Sequence, residues 1–326
     1  MLNWGLIGCG TIAPAFINAI KSQKDCKLLA IASQYSNNAS IYKMTYGIER
    51  KYDSYENLAN DPDIDIVYIA TTNQIHADNI ALFLSHGKHV LCEKPITISA
   101  KLAKEVIWTA KEKKLFLMEG MWTRFLPSMV KIKKWLDAGI IGKIRCIYAD
   151  FGFINEWGPE RRLLNKSLCG GTLLDNGVYP ISFASMIFGK QPDEIKTLTT
   201  LGFTGVDEFS SYLFKYGHDQ FAVLSSSIRL ETPQNATIVG EKGTIFLPEF
   251  WHCQKVVLSL KGNKQKSYYF PFKINGFEYE IETVNNCILE GKTECELMPL
   301  HESIAILETI DKIRCEWGLK YPIENI

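Results

Sequence analysis

A glycine-rich turn near the start of the chain has the spacing of a phosphate-binding loop. Its residues, Gly8-Cys9-Gly10-Thr11-Ile12-Ala13, follow a short apolar run and open a segment of helical period. Gly8 permits a tight turn, Gly10 lets a pyrophosphate approach the backbone, and Ala13 keeps the helix close to the strand. The N–H groups and the positive dipole end of that helix would then face the phosphates. The turn alone could be only a tight connection, but at the first strand of a strand–helix alternation it predicts a dinucleotide site at Gly8, Cys9, Gly10, Thr11 and Ile12.

The residues after the second predicted strand indicate which dinucleotide is preferred. An acid there accepts from the ribose 2′-hydroxyl of NAD and repels the 2′-phosphate of NADP. Residues 32–38 contain neither an acid nor an arginine. NADP is therefore favoured, with NAD as the alternative, and the 2′-phosphate would be held by backbone N–H groups and by Ser33, Gln34, Ser36, Asn37 and Lys43.

Two further polar segments follow predicted strands, and both belong at the sheet edge where ligands of open α/β folds bind. They are Thr71-Thr72-Asn73-Gln74-Ile75-His76 and Glu93-Lys94-Pro95. Thr71, Thr72, Asn73, His76, Glu93 and Lys94 are therefore candidate cofactor ligands. His76 has two interpretations, since it could touch the nicotinamide or only brace the helix that follows Asn73.

The elements that must position these residues alternate over the first 120 residues. Short apolar runs at 4–7, 28–32, 66–70, 89–91 and 115–118 alternate with helical segments near 12–22, 38–46, 75–86 and 99–113. Such alternation is typical of βαβ units around a parallel sheet. In the last of these helices, Ser99 is the expected N-cap of an amphipathic helix.

The pattern changes after residue 140. Runs at 143–153, 194–201, 210–214, 220–228, 236–239 and 255–260 alternate or are apolar, the turn Gly240–Gly243 is a predicted hairpin loop, and helical patterns return at 276–290 and 300–315. These runs predict a mostly antiparallel open sheet with helices on one face. We therefore expect a doubly wound Rossmann domain over residues 1–121 and an α+β substrate-binding and dimerisation domain over residues 122–326.

Composition excludes several classes of function. The 326 residues include 36 basic and 36 acidic side chains, so there is no net charge to hold a nucleic acid or an anionic membrane. The nine cysteines form no C-x-x-C pair and lie beside no histidine at metal-ligand spacing, which favours free thiols and no metal site. The uncharged first twenty residues lack the basic region of a signal peptide and the long apolar run of a membrane span. We expect a cytoplasmic protein.

Together these motifs resemble the Gfo/Idh/MocA oxidoreductases, most of all the branch of the dimeric dihydrodiol dehydrogenases, also described as NADP-dependent D-xylose dehydrogenases. The segments typical of that branch are 119–125 (EGMWTRF) and 170–180 (GGTLLDNGVYP), and 298–303 (MPLHES) is the last segment that carries the resemblance. The resemblance runs over the whole chain. One departure is Cys169, where the branch commonly has a third glycine, and this change is expected to alter the turn.

The resemblance implies a role for each site residue. Lys94 would lie by the nicotinamide and the substrate, Tyr179 would be the acid/base, and Asp175 would bind the substrate hydroxyl or orient the other two. If a helix begins within 171–181, as the resemblance implies, Asp175 and Tyr179 lie one turn apart on one face. The plain alternatives are an exposed strand-end lysine and a buried tyrosine with a satisfied hydroxyl.

Other residues have two interpretations each. By resemblance, Trp122 is an apolar wall for the substrate and Arg124 a hydroxyl donor, although Arg124 could instead hold domains together. Phe153, with Phe151 and Trp157, is either a pocket wall or part of the core.

The resemblance further implies a small polyol, aldose or cyclic diol as substrate and a homodimer through the C-terminal sheet. Two alternatives remain at this point. One is a dinucleotide-binding regulator without turnover, and the other is a sugar oxidoreductase that keeps its cofactor tightly bound.

Overall fold

The computed structural model describes residues 1–34, 37–154 and 158–325. By their contacts, these residues divide into two compact units. The first unit contains Met1–Phe125 and Phe272–Ile304, and the second contains Leu126–Pro271 and Ala305–Ile326.

The first unit is built on a six-stranded sheet of order β3-β2-β1-β4-β5-β6, in which every pair of strands is parallel. In chain order its elements are β1 (Leu2–Ile7), α1 (Ala13–Ile20), β2 (Cys26–Ala32), α2 (Asn38–Tyr46), β3 (Arg50–Tyr52), α3 (Tyr55–Ala59), β4 (Ile66–Ile69), α4 (His76–Ser85), β5 (His89–Glu93), α5 (Ala100–Lys113) and β6 (Leu117–Gly120). The predicted doubly wound Rossmann sheet is confirmed. The short β3 and α3 were not predicted, because three to five residues are too few to show a period.

Helix α5 shows how the sequence dictates this packing. The Ser99 side chain accepts from the Leu102 N–H at 3.4 Å and caps the helix, as predicted. The buried residues Ala103, Val106, Ile107 and Ala110 form its predicted apolar stripe.

The second unit begins with α6 (Pro127–Asp137) and contains an eight-stranded sheet of order β14-β13-β12-β11-β7-β10-β9-β8. The strands are β7 (Ile144–Gly152), β8 (Glu194–Leu201), β9 (Asp207–Tyr216), β10 (Gln220–Ser227), β11 (Ala236–Gly240), β12 (Gly243–Leu247), β13 (Lys255–Leu260) and β14 (Lys266–Tyr269). The pair β7–β10 is parallel and the others are antiparallel, so the predicted mostly antiparallel sheet is confirmed.

One face of this sheet is covered by α7 (Val178–Phe188), which contacts β7 and β10. The opposite face presents exposed apolar side chains, among them Tyr148, Leu213 and Val223. The hairpin predicted at Gly240–Gly243 joins β11 to β12.

Two long helices follow the sheet. Helix α8 (Phe277–Leu289) packs on α1 in the first unit, and α9 (Leu300–Trp317) begins in the first unit and continues in the second. Both were predicted from their helical period.

Candidate active site

The glycine-rich turn joins β1 to α1, and glycine suits its two positions for different reasons. Gly8 has a φ of +94°, and a Cβ on it would lie 2.3 Å from the carbonyl oxygen of Ala70. The close approach of β1 and β4 therefore requires a glycine there. Gly10 is exposed, and a Cβ on it would meet nothing within 4 Å, so the space before it is open to a ligand. This open surface beside a helix N-terminus fits the pyrophosphate of a dinucleotide.

Tyr42, on α2, donates a hydrogen bond from its hydroxyl to the carbonyl oxygen of Gly10 at 3.1 Å. This residue was not among the predicted ones, because nothing in its local pattern indicates a contact 32 residues away. The Cys9 thiol lies next to Ser33, and burial raises the pKa of Cys9 to about 11. Cys9 is therefore a neutral thiol at physiological pH.

The residues expected to hold a 2′-phosphate differ in their surroundings. Ser33 is buried, whereas Gln34 and Asn37 are exposed. The Lys43 ammonium donates to the carbonyl oxygen of Glu49 at 2.9 Å. Ser36 lies outside the described residues.

His76, at the start of α4, joins the two loops that follow β4 and β5. Its ring is fully buried, with Nδ1 2.9 Å from the carbonyl oxygen of Pro95 and Nε2 3.1 Å from that of Thr71. Asn79 strengthens this connection by donating to the Thr71 hydroxyl at 3.1 Å. These contacts are of the kind expected if His76 braces the helix that follows Asn73, and they connect Thr71, after β4, to Pro95, which follows Lys94.

Asn73 is also buried, and its Nδ2 has no hydrogen-bond partner within residues 1–34, 37–154 and 158–325. An unsatisfied amide donor at the end of β4 fits a polar group of a bound dinucleotide. Thr71 and Thr72, which precede it, are half-buried.

Three acidic side chains lie behind the Glu93-Lys94-Pro95 loop. The Glu93 carboxylate accepts from the Tyr68 hydroxyl and, at 3.3 Å, from the Lys94 N–H. Glu119, at the end of β6, accepts from the Ile96 N–H at 3.0 Å, and burial raises its pKa. Burial, assisted by the charges of Glu93 and Glu119, holds the pKa of Glu280 on α8 well above its ordinary value. These acidic side chains therefore lie against the loop that presents Lys94, which is half-buried.

Trp122 and Arg124 follow β6 in a short 3₁₀ segment. The Trp122 ring stacks on Phe277 with ring centroids 4.8 Å apart. The Arg124 guanidinium, 5% exposed, forms an ion pair with Glu302 at 2.7 Å. These described contacts of both residues lie within the first unit.

In the second unit, Asp175 and Tyr179 lie where a helix changes its winding. Leu173–Gly177 forms a π-helical turn, and α7 begins at Val178. Pro180 has no N–H to donate to the carbonyl oxygen of Asn176, which disfavours regular α-helical winding here. Asp175 and Tyr179 are 9% and 8% exposed, so both are nearly buried. The expectation of a helix start within 171–181 holds, with a wider first turn than predicted.

Asp175 has a cationic partner that the sequence did not indicate. The Arg162 guanidinium donates to Asp175 Oδ1 at 2.9 Å. Gly170 lies between them in the chain, and a Cβ on it would stand 2.6 Å from the carbonyl oxygens of Arg162 and Leu163. This glycine therefore lets the Arg162 segment pack against the turn that bears Asp175.

The Tyr179 ring lies in an aromatic group. Phe151 meets Tyr179 edge-on at 5.0 Å between centroids and stacks on Trp251 at 5.2 Å. Trp251, which was not predicted, is fixed by a hydrogen bond from its Nε1 to Gln234 Oε1 at 2.8 Å. Phe153 is 6.1 Å from Phe151 and packs on the buried cluster of Leu163, Leu164, Val206 and Ile228. Trp157 lies outside the described residues.

Across the described ranges, no group of three or more His, Cys, Asp or Glu side chains could hold a metal ion. In the same part of the chain, no helix has both the length and the apolar character needed to span a bilayer.

Family models match most of the chain. Residues 2–121 match the Gfo/Idh/MocA model described as an oxidoreductase family with an NAD-binding Rossmann fold. Residues 129–246 match the model of the GFO/IDH/MocA C-terminal domain.

Similar proteins cover nearly the full length. The trans-1,2-dihydrobenzene-1,2-diol dehydrogenase of Xenopus tropicalis is 34% identical, over 98% of this chain and 99% of its own. The human protein of the same name is 30% identical, over 98% of each chain.

Solved structures are similar over the same extent. A 3-ketoreductase from Actinomadura kijaniata, in complex with NADP and TDP-benzene, superposes with a TM-score of 0.85 at 25% identity, over 96% of this chain and 97% of its own. The aldose-aldose oxidoreductase from Caulobacter crescentus superposes with a TM-score of 0.88 at 24% identity, over 96% of both chains.

Proposed function

The chain belongs to the Gfo/Idh/MocA oxidoreductase family, and on that premise we propose that it transfers a hydride between a nicotinamide and a hydroxyl-bearing carbon of a small sugar, polyol or cyclic trans-diol. The observation that carries this proposal is a carboxylate and a phenol on consecutive turns of one helical segment: Asp175 lies in the π-helical turn, and Tyr179 lies in the first turn of α7 beside an aromatic wall. The open phosphate-binding turn at Gly10 supports the cofactor half of the reaction.

Tyr179 is the proposed acid/base. Oxidation of an alcohol requires a base for the hydroxyl proton, and reduction of the carbonyl requires the same group as an acid. The bound nicotinamide would accept or supply the hydride. The Lys94 ammonium would stabilise the Tyr179 phenolate and polarise the reacting oxygen. Asp175, held by Arg162, would accept a hydrogen bond from a substrate hydroxyl.

Gly8, Gly10 and the residues around them would bind the dinucleotide. The Asn73 amide and the backbone at Thr71 and Thr72 would face its ribose or nicotinamide. We propose NADP as the preferred cofactor, because residues 32–38, at the end of β2, contain no acid and the exposed Gln34 and Asn37 can donate to a phosphate. The A. kijaniata 3-ketoreductase, similar in fold, holds NADP.

The proposed substrate class follows from the names of the relatives and from the aromatic group at Tyr179. The names of the relatives give a cyclic diol as their substrate. The flat aromatic rings beside Tyr179 would pack on the apolar faces of such a small ring, while Asp175 and Tyr179 would form hydrogen bonds with its hydroxyls. Trp122 and Phe153 are the other proposed wall residues, and Arg124 the proposed hydroxyl donor.

A homodimer through the second sheet is part of the proposal. The face opposite α7 has a groove lined by apolar side chains, including Tyr148, Leu198, Leu213 and Val223. Exposed apolar surface of this kind typically marks an interface. Sedimentation equilibrium tests it, since Leu213→Asp should convert a dimer to a monomer.

The nine free cysteines support a reducing, cytoplasmic compartment.

Absorbance of the reduced nicotinamide, followed with NADP and then NAD against aldoses, inositols and cyclic diols, tests the function. Wild type should turn over at least one class, and Tyr179→Phe should lose about 10²-fold or more in kcat while still binding NADPH. Tyr269→Phe, at a 69% exposed tyrosine, is the matched control and should behave as wild type. Tight NADPH binding without turnover on any panel member would instead favour a dinucleotide-binding regulator.

A further inference from the structure

Asp207, the first residue of β9, lies directly under the segment that carries Asp175 and Tyr179. It is fully buried, and its Oδ2 accepts from the Leu173 N–H at 2.7 Å and from the Ser210 hydroxyl at 3.4 Å. Leu173 is the first residue of the π-helical turn. The carboxylate therefore accepts from an N–H at the beginning of that turn, although the two residues are 34 positions apart.

Gly171 shows how closely the carboxylate approaches. It has a φ of +116°, and a Cβ on it would lie 2.1 Å from Asp207 Oδ1. Only glycine fits both this backbone conformation and this contact. Asp207 thus contacts the chain before the turn through one oxygen and the turn itself through the other.

The far end of the turn is also held by the sheet. Asn176 Nδ2 donates to the carbonyl oxygen of Ser227 at 2.7 Å. A Cβ on Gly177 would lie 2.7 Å from the Tyr212 hydroxyl oxygen, so the helix backbone rests on β9 there. The turn is therefore fixed at both ends, and Asp207 provides the hydrogen bond at its start.

We propose that Asp207 is a positioning residue: its side chain fixes the start of the π-helical turn and so sets where Asp175 and Tyr179 are presented to the substrate. This inference rests on the proposed hydride transfer and adds a residue that touches neither substrate nor cofactor. Displacement of catalytic groups by about 1 Å can reduce the rate about 10²-fold. Loss of the Leu173 anchor should therefore lower kcat more than it weakens binding of the dinucleotide, whose candidate ligands lie in the other unit.

The experiment compares Asp207→Asn with Asp207→Ala. The asparagine carbonyl can still accept from the Leu173 N–H, so Asp207→Asn should keep kcat within about 3-fold of wild type. Asp207→Ala has no acceptor and should lose about 10²-fold in kcat. The NADPH Kd of both variants, from nicotinamide fluorescence, should stay within about 2-fold of wild type. Rescue by the isosteric amide separates anchoring from a requirement for charge.

Asp193→Ala is the matched control, because Asp193 also accepts from a backbone N–H in the second unit, that of Gly217, at an exposed turn. It should retain wild-type kcat. If Asp207→Ala does not fold by circular dichroism, Asp207→Ser replaces it, since a serine side chain is one bond shorter and should lose kcat in the same way.

A folded Asp207→Ala or Asp207→Ser variant with wild-type kcat overturns the inference. An Asp207→Asn variant as slow as the alanine variant does so too. Tyr179→Phe, assayed in parallel, separates this inference from the proposed function. If Tyr179→Phe is inactive and Asp207→Ala is fully active, the inference alone fails. If Tyr179→Phe is fully active, the assignment of the acid/base fails.

Discussion

The buried carboxyl of Asp207 should make the stability of the protein depend on pH. Burial raises its pKa from an ordinary 3.8 to about 7. Because the pKa is higher in the folded state, the folded protein binds the extra proton between these values, and the stabilising contribution is complete below pH 4 and lost as pH rises through about 7. Each pKa unit corresponds to about 1.4 kcal/mol, so the free energy of unfolding should fall by roughly 4 kcal/mol over this window on account of Asp207 alone.

Asp207→Asn isolates this effect, because an amide does not titrate and fits the same space. Urea unfolding of both proteins at half-unit steps from pH 4.5 to 8 gives the difference in unfolding free energy at each pH. Other buried acids, such as Glu119 and Glu280, also titrate, but they are present in both proteins and cancel in the difference. Between pH 4.5 and 7.5, the unfolding free energy of wild type should fall by about 3 kcal/mol relative to that of Asp207→Asn. Above pH 7.5 the difference between the two proteins should stay constant. A difference that stays constant with pH would show that Asp207 has an ordinary pKa and refute this reasoning.

Substitutions at four positions test other parts of the structure. Cys169 is buried in a left-handed conformation, with φ 54° and ψ 42°; Cys169→Gly should be about 1 kcal/mol more stable than Cys169→Ala in urea unfolding, the reverse of the order expected at ordinary positions. Gly8→Ala should lower the free energy of unfolding by about 3 kcal/mol, because Gly8 has a positive φ and a Cβ there would meet a backbone oxygen. Gly10→Ala should change the free energy of unfolding by less than about 1 kcal/mol. It should weaken NADPH binding at least about 10-fold, as measured by fluorescence titration. Arg124→Met should lower the free energy of unfolding by about 3 kcal/mol because it leaves the Glu302 carboxylate without its buried partner, and a change below about 0.5 kcal/mol would contradict this.

The parts of the fold that could be predicted are those with a local signal. The glycine turn, the apolar strands of the first sheet and the stripe of α5 each follow from a period or a motif within a few residues. The period of α8 likewise predicts a helix over 276–290. It does not indicate that the partner of this helix is α1, more than 250 residues earlier, because periodicity gives the width of an apolar face and not what covers it.

The supporting residues of the candidate site were beyond prediction for a related reason. Four of them make hydrogen bonds to residues distant in the sequence: Tyr42 to Gly10, Arg162 to Asp175, Asp207 to Leu173 and Trp251 to Gln234. A single tyrosine, arginine, aspartate or tryptophan carries no local pattern that names its partner. Gly171 is the exception, because a glycine pair before a helix is a local signal that some other group approaches the backbone closely.

The most direct test of the proposed hydride transfer uses an isotope. A substrate deuterated at its hydroxyl-bearing carbon, chosen from the aldoses or cyclic diols that show turnover, is incubated with NADP, and the nicotinamide product is examined by mass spectrometry and NMR. We predict one deuterium at C4 of the reduced nicotinamide with wild type, and none within the same time with Tyr179→Phe. Reduced nicotinamide without deuterium, or transfer at an undiminished rate in the Tyr179→Phe variant, would contradict the assignment of this chain as a hydride-transferring dehydrogenase with Tyr179 as its acid/base.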